Sequence, residues 1–168
     1  LLIARNGYDG VRNISGDRHS ASIAVNCTIA DNAGNGVYNP ASWASFQDYY
    51  NCVIAGHKIG AYRKDDLHSG GIRLYNCVLA NATNCWTYRI TTNDCVEVAD
   101  ARLQTNRIAK LFWPLQGSPV AGVASNRNAT LAVKVYDDLA GHAIRFDRPY
   151  DVGCFQLLPP GGFLFCIR

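Results

Sequence analysis

Tyr50 to Gly56 reads YNCVIAG, Tyr75 to Asn81 reads YNCVLAN, and Val25 to Asp31 reads VNCTIAD. The Asn-Cys pairs begin at Asn26, Asn51 and Asn76, the same interval twice over. Self-similarity at a fixed period of about 25 residues is the mark of a solenoid, whose units bury their apolar faces by stacking on one another. Aligned, the copies give the columns Val25/Tyr50/Tyr75, Cys27/Cys52/Cys77, Ile29/Ile54/Leu79 and Ala30/Ala55/Ala80, with Asn26/Asn51/Asn76 and Thr28/Val53/Val78 between them. Val25, Cys27 and Ile29 alternate with Asn26 and Thr28, which is the period of two expected of a strand with one buried face. Each copy is therefore read as one short strand.

A second strand start per unit is marked by Gly10-Val11-Arg12, Gly36-Val37-Tyr38 and Gly60-Ala61-Tyr62, which recur at nearly the same period. The text between the copies is rich in Gly, Asn and Asp and sustains no three-and-four spacing of apolar residues, which argues against a helical repeat. Two or three short strands per turn of about 25 residues describe a coil whose layers pair in parallel, about 4.8 Å apart. Like side chains then lie over their own copies. Cys27, Cys52 and Cys77 are expected as a file of buried thiols, and Asn26, Asn51 and Asn76 as an amide ladder at a tight corner.

At 168 residues, 48% hydrophobic and 17% charged, the chain is long and apolar enough to fold around a core of its own. The net charge of +3 is spread without long runs of one sign, so a nucleic-acid partner is not expected. Methionine is absent, which suggests that Leu1 is not a translation start and that the chain is a processed product or a C-terminal piece. No apolar stretch reaches the roughly 18 residues of a membrane span. The seven cysteines are an odd number, so at least one thiol lacks an internal partner. Direct bridging between neighbouring parallel strands strains a disulfide, which favours free thiols in the file. Cys85 with Cys95 and Cys154 with Cys166 are the candidate pairs elsewhere. No CxxC pair is present, and His19, His57, His68 and His142 do not recur at the period of the repeat, so no metal file is expected.

With Asn26-Cys27-Thr28-Ile29, Asn32 and Gly34-Asn35-Gly36 in place, the chain resembles right-handed parallel β-helix proteins of the pectate-lyase-like group, whose coils often read NCTIxxNxxxGxG. The resemblance covers roughly residues 5 to 85. Further on, Leu115-Gln116-Gly117-Ser118-Pro119, then Asp138, Gly141 and Arg145, then Asp151-Val152-Gly153 with Phe155 and Gln156, resemble the C-terminal region of secreted bacterial β-helix proteins of the choice-of-anchor Q type. This chain departs from that pattern at Ala121-Gly122-Val123 and at Gln156. The resemblance implies an all-β fold: a right-handed parallel β-helix (solenoid) of about three to four coils of about 25 residues, with residues 1–85 as coils and 86–168 as the last coil and a C-terminal cap of the same domain. Such a cap would cover the unpaired edge of the last coil, with Arg145 and Asp151 as partners in a polar network.

The densest polar stretch, GHKIGAYRKDDLHSGG, carries His57, Lys58, Arg63, Lys64, Asp65, Asp66 and His68. Related folds include polysaccharide lyases, which use a basic side chain to abstract a proton, and glycosidases, which use paired carboxylates. Such groups would have to converge from successive coils. One period before Asp65-Asp66 stand Pro40-Ala41, and one period after stand Ile90-Thr91, so no catalytic residue is nominated. Trp43, Phe46, Tyr49 and Tyr62 are the rings weighed as a stacking surface for sugars. Trp43, Tyr62, Arg63, Lys64, Asp65, Asp66 and His68 form the candidate carbohydrate-contacting set. No cofactor is expected, with calcium at Asp65 and Asp66 as the alternative. The function implied is an extracellular or cell-surface structural or adhesive module, the C-terminal fragment of a larger protein, assembling through upstream coils or neighbouring subunits at its open end. The alternative is the C-terminal part of a carbohydrate-active enzyme or a carbohydrate-binding module.

Overall fold

A computed structural model of the chain describes residues 1–13, 21–40, 45–64, 70–81, 84–86, 90–105, 112–124, 136–144 and 150–156. Among them are thirteen short strands and no helix. Every third strand joins the same sheet. The first sheet takes β1 (Leu2–Ala4), β4 (Thr28–Ala30), β7 (Val53–Ala55), β10 (Val78–Ala80) and β13 (Val96–Glu97), in that order. A second holds β2 (Val11–Arg12), β5 (Val37–Asn39), β8 (Ile59–Arg63) and β11 (Asn84–Trp86). The third holds β3 (Ala21–Val25), β6 (Phe46–Tyr50), β9 (Gly71–Tyr75) and β12 (Ile90–Asn93). All pairings between these strands are parallel.

Register keeps like over like. Ile3, Ile29, Ile54 and Leu79 are successive partners, as are Ala4, Ala30, Ala55 and Ala80. The two strand starts at Val11 and Val37 pair directly, and Val37 pairs with Ala61. The three sheets enclose one core of Ile29, Ile54 and Leu79 from the first, Val37 and Ala61 from the second, and Tyr49, Ile72 and Leu74 from the third. Each aliphatic side chain removed from water there contributes about 1.5–3 kcal/mol.

One local reading needs correction. The Asn-Cys copies are not single strands, because Asn26, Asn51 and Asn76 have φ of 50°, 52° and 52° and turn the chain from the third sheet into the first. Asparagine is the side chain best suited to this left-handed conformation after glycine, which gives it a second reason to recur there besides its amide. The alternation seen across Val25 to Ile29 therefore spans a corner, with β3 ending at Val25 and β4 beginning at Thr28.

The outward face of the first sheet is buried as well. Thr28, Val53 and Val78 are 2%, 1% and 1% exposed. They are covered by a second apolar cluster in which Val53, Ala55, Val78 and Ala80 meet Ala101, Val120, Ala124, Ile144, Tyr150 and Val152. The C-terminal segment is tied down there by Gly153 N–H to Asn51 O at 2.9 Å and by Cys154 N–H to Thr28 Oγ1 at 3.1 Å. Gly153 has φ of +99°, and a Cβ on it would meet Thr28 Oγ1 at 2.7 Å, so both conformation and space demand glycine. The described part of residues 112–156 thus lies along the flank of the first sheet. The apolar outward column, which a solvated strand would not keep, is the physical reason.

Candidate functional site

Cys27, Cys52 and Cys77 lie one above another in the core, and Cys95 continues the file. All four are free thiols, as is Cys154. Burial pushes the Cys52 and Cys77 thiols up, and at Cys27 the contact with Cys52 is the larger cause. Cys95 differs. It is half-buried, its sulfur accepts the Cys77 N–H at 3.4 Å, and the neighbouring Cys77 thiol helps to hold its pKa down to about 7. Cys85 and Cys166, the other halves of the two candidate disulfides, lie outside the described side chains.

The Asn ladder closes on itself and on the C-terminal segment. Asn76 Nδ2 donates to Asn51 Oδ1 at 2.7 Å and to Val123 O at 3.1 Å, while Asn51 Nδ2 donates to the Tyr150 hydroxyl at 2.7 Å. A fourth corner stands below it, where Asp94 takes the same left-handed conformation, φ 52°, ahead of Cys95. Sequence spacing missed this copy because the last layer arrives early: Glu97, the partner of Leu79, is nearer to it along the chain than Leu79 is to its own partner Ile54, and Asp replaces Asn at the corner.

A second polar ladder was also missed. Asn32 Oδ1 accepts from Asn6 N and Asn6 Nδ2, and Asn32 Nδ2 lies 3.0 Å from His57 Nε2. His57 Nδ1 lies 3.2 Å from Asn81 Oδ1, and Asn81 Nδ2 donates to Ile54 O. Because Asn32 presents an N–H₂ group to Nε2, that nitrogen accepts and Nδ1 carries the proton, so the neutral ring completes the chain of bonds. Burial pushes the His57 pKa down in keeping with this. The signal was an Asn-Asn-His-Asn series at spacings of 26, 25 and 24, visible only if His is allowed as an Asn equivalent.

Of the carbohydrate candidates, Trp43, Asp65, Asp66 and His68 lie outside the described residues. Tyr62 stacks on Tyr38 with ring centroids 5.4 Å apart, and Arg12 sits over the Tyr38 ring at 5.1 Å. This ring order runs along the stacking direction and gives one face of Tyr62 to Tyr38, so that face is not offered to a sugar. Lys64 is exposed, whereas Arg63 is 2% exposed and turned away from solvent. The structure therefore does not bring Arg63 to the surface beside Tyr62 and Lys64. A similar ladder on the third sheet, Tyr50 on Tyr75 at 4.6 Å, lies beside an Asp48–Arg73 ion pair at 2.6 Å, with Arg73 over Phe46. Phe46 and Tyr49, weighed from sequence as sugar-stacking rings, are taken by the Arg73 guanidinium and by the core.

A cleft of about 530 Å³ runs between the first sheet's strand ends and residues 99–105 with Phe112. Its floor is the methyl file Ala30, Ala55 and Ala80, and its polar margin includes Asp31 and Asp100. Of the described carbohydrate candidates, neither Tyr62 nor Arg63 nor Lys64 lines it. In the C-terminal segment, Asp138 accepts from Ala140, His142 and Gln156 backbone N–H groups and from His142 Nδ1, and Gly141, φ +85°, closes the same turn. These contacts make the Asp-x-x-Gly element a turn clamp. Asp151 accepts the Gly122 N–H at 2.8 Å, and its expected partner Arg145 lies outside the described residues.

Among the described residues no group of three or more His, Cys, Asp or Glu side chains is arranged to hold a metal ion, and no helix is long and apolar enough to cross a membrane. No protein-family model matches the chain, and neither a curated protein nor a solved structure matches it.

Proposed function

We propose that the chain forms consecutive turns of a right-handed parallel β-helix, about three to four coils of about 25 residues, and serves as an extracellular or cell-surface structural or adhesive module. What supports the coil is that each sheet takes every third strand in parallel register, and parallel crossovers are right-handed in nearly all proteins. The extracellular setting follows from the resemblance of the C-terminal segment to secreted β-helix proteins.

The observation that carries the assembly reading is the first layer. Ile3, Val11 and Ala24, one from each sheet, stand in core columns yet remain half-buried, and Leu1 and Ile23 beside them are 65% and 54% exposed. A further β layer, from upstream polypeptide or another subunit, would complete those columns. The alternative, part of a carbohydrate-active enzyme, has Tyr62 and Lys64 as its described surface residues, and they do not meet the cleft. Incubation with a panel of acidic and neutral polysaccharides, followed by ultraviolet absorbance of unsaturated products and by reducing-end release, separates the two. Silence across the panel, together with a sedimenting species larger than one chain, is the expected outcome; turnover of any polysaccharide would favour the enzyme.

A further inference from the structure

One member of the thiol file is only half-buried. Each sulfur repeats one contact, donating to the carbonyl two residues back: Cys27 to Val25 O and Cys52 to Tyr50 O at 3.3 Å, Cys77 to Tyr75 O and Cys95 to Asn93 O at 3.5 Å. Cys95 is thus a fourth member of the file, one layer on from Cys77, since Val96 pairs with Val78 in parallel register. Its surroundings differ. Of the described thiols, Cys27, Cys52, Cys77 and Cys154 are buried and Cys95 is intermediate. Its neighbouring strand, β13, has two residues and stands at the edge of the first sheet, whereas Cys52 has a layer on either side. The Cys77 N–H points at the Cys95 sulfur from 3.4 Å, and a donor there favours the thiolate. The Cys77 thiol and this N–H together hold the Cys95 pKa down to about 7.

We propose that Cys95 is an oxidation site for hydroperoxides and that Cys77, its neighbour in register, is the resolving thiol. The Cys95 thiolate attacks one peroxide oxygen, the O–O bond breaks, and Cys95 becomes a sulfenic acid as hydroxide or alkoxide leaves. The Cys77 sulfur then attacks the Cys95 sulfur and gives up its proton; the S–OH bond breaks, an S–S bond forms and water leaves. The two thiols are oxidised and the peroxide is reduced by the same pair of electrons. Cα atoms one strand spacing apart, about 4.8 Å, lie within the roughly 4.4–6.8 Å span of a disulfide. The short edge strand beside Cys95 is the element that yields to close the bond. A bond across parallel neighbours is strained, and strained disulfides are the readily reduced ones, so a dithiol reverses the modification. An accessible thiolate beside a second thiol is the arrangement of redox-responsive cysteines.

Hydrogen peroxide in small excess over the full chain, followed by proteolysis without reduction and tandem mass spectrometry, tests it. Cleavage after Arg73 and Arg89 leaves Cys77 and Cys85 on one peptide, so the fragment ions must locate the link. Wild type is expected to give a Cys77–Cys95 link that dithiothreitol removes. Cys77→Ala is expected to stop at the sulfenic acid, trapped on Cys95 by dimedone. Dimedone added to wild type during oxidation is expected to give the same adduct at the expense of the link, a result that does not depend on how Cys77→Ala folds. Cys95→Ser is expected to leave Cys27, Cys52 and Cys77 as thiols under the same treatment. Cys95 that stays a thiol, or Cys27 and Cys52 oxidised as fast as Cys95, would overturn the oxidation site. A link through Cys85, or a sulfenic acid that persists in wild type, would overturn Cys77 as the resolving thiol.

Discussion

Replacing Asn51 separates the two things asparagine does at the corner. The residue is 0% exposed, its φ is 52°, and it makes two side-chain bonds of 2.7 Å, accepting from Asn76 Nδ2 and donating to the Tyr150 hydroxyl. Asn51→Gly keeps the left-handed conformation without strain and loses both bonds. At about 1 kcal/mol per bond, with some added cost for the polar groups left behind, the loss is about 2–3 kcal/mol. The lower half of that range is favoured because Asn76 Nδ2 retains Val123 O as an acceptor. Asn51→Ala loses the same bonds and adds about 1–2 kcal/mol for a Cβ in left-handed backbone, offset by up to about 1 kcal/mol because alanine is less free than glycine in the unfolded chain. Urea denaturation followed by circular dichroism reads both values, and for a chain of this length the glycine variant should melt roughly 4–12 °C lower. A glycine variant within about 0.5 kcal/mol of wild type would show that the ladder bonds contribute nothing, and an alanine variant more stable than the glycine one would refute the backbone argument.

Gly153→Ala should destabilise by about 1–3 kcal/mol, since the new methyl would meet Thr28 Oγ1 at φ +99°, and denaturation of the variant measures it. Burial pushes the His57 pKa down, so the unfolded chain takes up its proton first as pH falls below about 6.5. Stability from this residue is therefore complete above that pH and is lost as pH falls toward the folded value; midpoints at pH 7.5 and 5.5 should differ more in wild type than in His57→Asn. At neutral pH, iodoacetamide should label Cys95 well before Cys27, Cys52 and Cys77, whose thiols are buried and pushed up, and peptide mass spectrometry of the native protein after timed quenching would show the order.

Identity at a fixed period made the stack legible: Cys over Cys and Ile over Ile at one constant interval reveal the first sheet's register in the sequence itself. What identity does not convey is backbone conformation, so the corner at Asn26 reads as the middle of a strand. Nor does it find columns in which different side chains do one job. The Asn6/Asn32/His57/Asn81 ladder and the Asp94-Cys95 corner both break identity, the second also breaking the period. The lateral cover was foreshadowed by Thr28, Val53 and Val78, since an outward column that is apolar must be covered by something. Which segment covers it depends on contacts such as Cys154 to Thr28, 126 residues apart, which no local pattern encodes. Within the carbohydrate set the side taken by Arg63 was not legible, because an Arg one residue from a surface Tyr can face inward when strand alternation decides its side.

The claim beneath all of this is that like side chains are stacked in register across parallel layers. The sulfur anomalous signal from crystals of the protein tests it without reference to sequence pattern. Sulfurs of Cys27, Cys52 and Cys77 should fall in a nearly straight file, successive atoms separated by about one strand spacing, roughly 4.8 Å, with Cys95 continuing the line. Sulfurs scattered through the molecule, or joined in pairs at the roughly 2.05 Å of a disulfide, would contradict it.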